Sequence, residues 1–178
     1  ILAASIDEPF LVGDPFVKII NNKFHMWYIY GTQWKNYDMQ SESDRIYKIG
    51  YAISDDGVKW NKIKRKYQLI PDRLNEDECQ ALPTVIDIDG IYHMFFCYRQ
   101  AFDFRTNKDR GYRIGYAVSD DLKKWVRDDY QVGIGKSGED WDSEMLCYPH
   151  VFSCEGNIYM TYNGNEFGRY GFGLAVLE

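Results

Sequence analysis

Three carboxylates in this sequence stand at related distances from three prolines. Asp14 directly precedes Pro15, and Glu78 and Glu144 each lie five residues before Pro83 and Pro149. Carboxyls gathered in this way can divide their labour. One keeps its proton and releases a leaving group, while another is ionised and attacks or activates water. Glu144 lies in Trp141-Asp142-Ser143-Glu144, where aromatic and apolar neighbours would raise its pKa and suit it to the acid role, with Glu78 as the alternative. Arg99 ends an aromatic run, and a guanidinium buried there needs a carboxylate or a ligand as partner. His150 follows Pro149, Asn163 falls near the place of Arg99 in a later segment, and Trp34 reads as a loop residue with a free ring face.

The elements that must position these residues recur. Pro15, Pro83 and Pro149 follow one another at intervals of 68 and 66 residues. Each precedes an apolar stretch, a turn signal (Asn21-Asn22, Asp89-Gly90 or Glu155-Gly156-Asn157) and a long aromatic run. Tyr47-Lys48-Ile49-Gly50-Tyr51-Ala52-Ile53-Ser54-Asp55-Asp56, ending in Trp60, is then matched by Tyr112-Arg113-Ile114-Gly115-Tyr116-Ala117-Val118-Ser119-Asp120-Asp121, ending in Trp125. A third copy survives as Tyr170-Gly171-Phe172-Gly173-Leu174-Ala175-Val176. Each unit predicts four short strands, the first at 16–20, 84–88 and 150–153, and no segment has helical periodicity. Radially repeated four-stranded antiparallel units describe the blades of a β-propeller. A β-trefoil is the alternative, but its unit is shorter. The units run over about 14–71, 78–132 and 144–178 within a single propeller portion. The third lacks a fourth strand unless residues 1–11 supply it.

Composition agrees with strands. Of 178 residues, 17% are aromatic, which favours sheets, and most of these rings belong to sheet cores. A minority of such faces would suit the C–H surfaces of sugar rings. The net charge of −6, with no Lys/Arg cluster beyond 62–66, gives no footing for nucleic acid. No apolar run approaches the ~20 residues of a membrane helix. Cys79, Cys97, Cys147 and Cys154 form no C-x-x-C pair and have no His at zinc-ligand spacing, so no metal site is expected. Cys97, inside an apolar strand, reads as a reduced thiol, with a disulfide as the alternative. His25 and His93 repeat within the second strands and read as structural. The repeated Ser-Asp-Asp clusters read as turns rather than metal ligands.

The pattern Asp-Pro-x-Val, His-Met-x-Tyr/Phe and Ile-Gly-Tyr-Ala-x-Ser-Asp-Asp with its Trp resembles the five-bladed β-propeller glycoside hydrolases of the arabinanase/xylosidase, invertase and mannoside phosphorylase types. Cys147-Tyr148-Pro149-His150-Val151 and Tyr162-Asn163-Gly164-Asn165 most resemble an uncharacterised branch of that group. The resemblance implies a C-terminal portion of a longer propeller, a carbohydrate ligand and no cofactor. It also implies a ring of three carboxylates around one end of the central channel, here Asp14, Glu78 and Glu144. Arg99, His150, Asn163 and Trp34 are expected from their own places in the sequence to contact substrate. In such a portion Asp14 would match the supporting second Asp, and the Asp of the first blade would lie outside the chain. Three blades leave sheet edges that further blades or a second copy must cover. The function expected is that of a glycoside hydrolase-like propeller working by carboxylate acid/base catalysis. The alternative is a non-catalytic glycan-binding or assembly module. Phosphorolysis has weaker support, because Arg99, Arg105 and His150 make a sparse phosphate clamp.

Overall fold

Each aromatic run is folded back on the strand before it by a two-residue turn. Asn21-Asn22, Asp89-Gly90 and Glu155-Gly156 all have positive φ at both positions, the backbone that closes a hairpin with the right-handed twist of its strands. The computed structural model describes residues 2–37, 43–64 and 66–177. It contains three antiparallel sheets. The first comprises β1 (Val12–Ile20), β2 (Lys23–Lys35), β3 (Asp44–Ser54) and β4 (Asn61–Lys62) in that spatial order. The second repeats it with β5 (Glu78–Ile88), β6 (Ile91–Gln100), β7 (Arg113–Ser119) and β8 (Val126–Arg127). The third has β9 (Cys147–Cys154), β10 (Asn157–Asn163) and β11 (Phe172–Val176).

The expected fourth strand of the third sheet is therefore not filled by the N-terminal segment. Residues 2–11 lie against the first sheet instead. There Gly31 N–H donates to the Leu11 carbonyl, Tyr28 donates to Glu8 at 2.8 Å and Lys62 pairs with Glu8.

The Gly of each Ile-Gly-Tyr-Ala block has a packing reason. Gly50, Gly115 and Gly173 stand in register with Tyr28, Phe96 and Tyr162. In each case a side-chain carbon on the glycine would meet the facing ring within 2.7 Å, so only hydrogen fits beneath the ring. The repeated His has a matching role: His25 Nδ1 meets the Tyr51 hydroxyl at 2.5 Å and His93 Nδ1 the Tyr116 hydroxyl at 2.6 Å. Ser54 and Asp56, like Ser119 and Asp121, bind the backbone N–H groups of their own turns.

The first strands of the three sheets lie side by side, β1 against β5 and β5 against β9. Val151 N–H donates to Thr84 Oγ1 across the second of these seams. Between the first two sheets lies a core of Trp27, Ile49, Tyr51, Met94, Phe96 and Trp125, with Trp125 edge-on to Trp27. Ile86, Ile114, Leu146, Val151, Met160 and Tyr162 fill the space between the second and third. Trp125 is buried, whereas Trp60 at the matching position is only half-buried, because no described sheet packs on that side.

The prolines lie inside β1, β5 and β9, not ahead of them. The strands continue through a bulge that shifts the register between Gly13 and Phe16, between Ala81 and Thr84, and between Thr161 and Asn163 opposite Pro149. In all three the residue before the proline is left-handed: φ is +49° at Asp14, +47° at Leu82 and +59° at Tyr148. Such backbone is costly for Leu and Tyr, and it persists where surrounding structure imposes it, as at binding and active sites.

Candidate functional site

The three bulges open on one cavity. Asp14, Leu82 and Tyr148 all line a recess of about 540 Å³, together with Asp44, Tyr47 and Arg99. A bulge turns the inward alternation of the strand by one position, which is how residues just before the prolines come to face the same space.

Asp14 is half-buried and accepts a hydrogen bond from the Leu82 backbone N–H. Burial raises its pKa and outweighs the opposing pull of that bond. Asp44, at the start of β3, is also raised by burial, against the charges of Arg99 and Arg105. Both carboxyls thus hold a proton to higher pH than a free Asp, the property an acid catalyst needs.

Tyr47 and Tyr112 open the two near-identical blocks of the sequence, and their hydroxyls meet across the cavity wall at 2.7 Å. Burial pushes the Tyr47 phenol up to about 12. Arg99 is only 6% exposed. It donates to the carbonyls of Gln100 (2.8 Å) and Ala101 (3.1 Å) and to the Tyr47 hydroxyl (2.8 Å), and its guanidinium lies 3.5 Å from the centre of the Phe104 ring.

Of the three carboxylates singled out in the sequence, only Asp14 lines this cavity. Glu78 is fully buried and held by the N–H groups of Arg73 and Leu74, by Gln80, and by Arg127 at 2.6 Å. Arg127 in turn chelates Asp129, which also pairs with Arg73, so the group forms a closed ion network. Glu144, at the same five-residue offset, does not line this cavity either. Its carboxylate pairs with Lys108 at the surface, and its backbone N–H is held by Asn165 Oδ1.

Arg99 lines the cavity. His150 is exposed on β9, its ring against Phe152 and edge-on to Phe16 of β1. Asn163 takes the register of Cys97 rather than Arg99, and its amide donates to the Phe167 carbonyl, fixing a turn whose Phe167 ring lines the cavity. Trp34 belongs to β2 and not to a loop. It is half-exposed, with the Arg45 guanidinium 5.1 Å from its ring centre.

Asp44, Tyr47, Tyr112 and Tyr148 escaped the sequence reading. Two signals pointed to three of them: the position directly before each proline, and the tyrosine that opens each repeated block. Among the described residues no group of three His, Cys, Asp or Glu side chains is placed to hold a metal ion, and the four cysteines are free thiols. No described helix is long and apolar enough to cross a membrane.

No protein-family model matches the sequence. Two uncharacterized proteins of Mycobacterium tuberculosis, from strains CDC 1551 / Oshkosh and ATCC 25618 / H37Rv, are each 35% identical over all 178 residues. The chain spans 54% of the length of each. Among solved structures, a family 117 glycoside hydrolase of the marine bacterium Zobellia galactanivorans superposes with a TM-score of 0.73 at 21% identity, over 96% of this chain and 53% of that one. An α-L-arabinanase of Cellvibrio cellulosa, solved with arabinohexaose, gives 0.62 at 16% identity over 94% and 48%. The chain therefore has the propeller fold of these glycoside hydrolases, over about half the length of each.

Proposed function

We propose that this chain supplies the glycan site of a glycoside hydrolase-like propeller, and that the site is the cavity at the three bulges. The observation that carries the reading is the meeting of three left-handed pre-proline residues, Asp14, Leu82 and Tyr148, in one recess beside a buried Arg99. Asp14 and Asp44 are the carboxyls proposed for acid/base work. Glu78 and Glu144 are left out of that role because ion pairs with Arg127 and Lys108 already hold them. Aromatic faces of Tyr148 and Phe167 give a sugar ring its apolar contact.

The propeller is completed by further blades, five in all, in the longer protein. Phe172 and Leu174 of β11 are 73% and 62% exposed, whereas Ile49 and Tyr51, their equivalents in the first sheet, are buried. A neighbouring blade is what buries these positions in the first sheet, and the third sheet presents the same face uncovered.

A non-catalytic glycan-binding module is the second reading. It is favoured by the occupation of Glu78 and Glu144, which leaves the described cavity with only Asp14 and Asp44 as carboxyls. An assay of the full-length protein for reducing ends released from an oligosaccharide panel separates the two. Hydrolysis that falls at least 100-fold in Asp14→Asn, in line with the 10²–10⁴-fold typical of acid/base groups, supports the enzyme. Binding without turnover supports the module, and turnover unchanged in both Asp14→Asn and Asp44→Asn removes this site from the reaction.

A further inference from the structure

Arg99 carries a full charge into the wall of the cavity, and no carboxylate answers it at ion-pair distance among the described residues. Its hydrogen-bond acceptors are two carbonyls and a phenol, all neutral, and its Nε is buried with no hydrogen-bond partner. Breaking a buried pair is costly because it leaves one charge uncompensated, so a buried cation in this state lacks something. The other buried cations here do not share the condition: Lys48 has Asp72 at 2.7 Å, and Arg127 has Glu78 and Asp129.

A second cation stands beside it. The Arg105 guanidinium lies 4.8 Å from the centre of the same Phe104 ring and 5.0 Å from that of Phe167, and it is exposed at the cavity mouth. Both guanidinium groups thus lie against the Phe104 ring, within about 8 Å of each other, and neither has a carboxylate at ion-pair distance among the described residues. Asp44 feels the charge of both guanidinium groups but pairs with neither at ion-pair distance among the described residues.

We infer that the glycan taken by this cavity is acidic: a saccharide whose anionic substituent, a uronate carboxylate in the first instance, is held by Arg99 and Arg105. Guanidinium groups recognise planar carboxylates through paired N–H donors, and the aromatic floor meets the apolar face of the sugar ring. This rests on the proposed glycan site and names its substrate class.

The test compares oligogalacturonate and glucuronoxylan oligosaccharides with the same oligosaccharides after carboxyl reduction, by calorimetric titration against the full-length protein. Sulfated oligosaccharides before and after desulfation form a second arm that identifies the anion. The inference expects at least one acidic oligosaccharide to bind tenfold or more tightly than its reduced form. It also expects Arg105→Ala, at an exposed position and with an unchanged urea unfolding midpoint as the fold control, to weaken that binding three- to tenfold with a shallower salt dependence. A preference confined to the sulfated pair keeps the anion site and replaces the carboxylate by sulfate. Equal affinity for acidic and neutral forms overturns the inference and leaves the glycan site standing. No binding of any oligosaccharide, acidic or neutral, overturns both.

Discussion

At the scale of single residues, conformation decided what the sequence could show. Gly115 illustrates a residue whose role was legible as repetition but not as mechanism. The Phe96 ring closes over it, and a methyl group there would sit 2.5 Å from the ring. Gly115→Ala is therefore expected to destabilise the protein by about 1–3 kcal/mol, the usual result of overpacking. Urea unfolding checks this, and an unchanged midpoint would mean that the ring is not confined. The candidate site was legible in Asp14 and Arg99, both of which reach the cavity. It was not legible in Glu78, since its partner Arg127 lies 49 positions away and nothing local announces the pair. Asp44 and Phe167 were hidden for a related reason: each belongs to a strand end or turn outside the repeated blocks, where offsets from a proline carry no information.

At the scale of elements, the hairpin turns and the four-strand order of the first two units follow from local sequence, and these were the parts read correctly. The bulges were not, because a proline suggested the start of a strand and instead lies within one. The ion network of Glu78, Arg127, Asp129 and Arg73 ties the first strand of the second sheet to its last strand and to the turn beyond it. Burial pushes the Asp129 carboxyl up, but hydrogen bonds and charge from Arg127, with help from Tyr116 N–H and Arg73, overcome it and leave the pKa below its ordinary value of 3.8. A carboxyl depressed in the folded state stabilises the fold above its unfolded pKa and loses that contribution as pH falls through the folded value. The stability advantage of the native protein over Asp129→Asn is accordingly expected to be full at pH 7 and to shrink as the pH drops below 3.8. Breaking one partner of such a pair typically costs about 3–5 kcal/mol at neutral pH. Chemical unfolding of both proteins across that range measures it, and a constant difference would show that Asp129 is not held as the anion.

At the scale of the whole molecule, the sheets are arranged so that their first strands meet and their outer strands diverge. Blade-equivalent residues are thereby brought to one height. The pre-proline residues Asp14, Leu82 and Tyr148 share one cavity, whereas Glu78 and Glu144 do not line it. The same arrangement leaves two faces without a neighbouring sheet, one bearing Trp60 and Met26, the other Phe172 and Leu174. The central claim is that the convergence of the bulges forms a glycan site, and a crystal structure of the full-length protein with a bound oligosaccharide tests it most directly. The account predicts a sugar ring within hydrogen-bonding distance of Asp14 and packed on Tyr148 or Phe167. An oligosaccharide seated elsewhere, such as against Trp34, with the cavity holding only solvent, would contradict it.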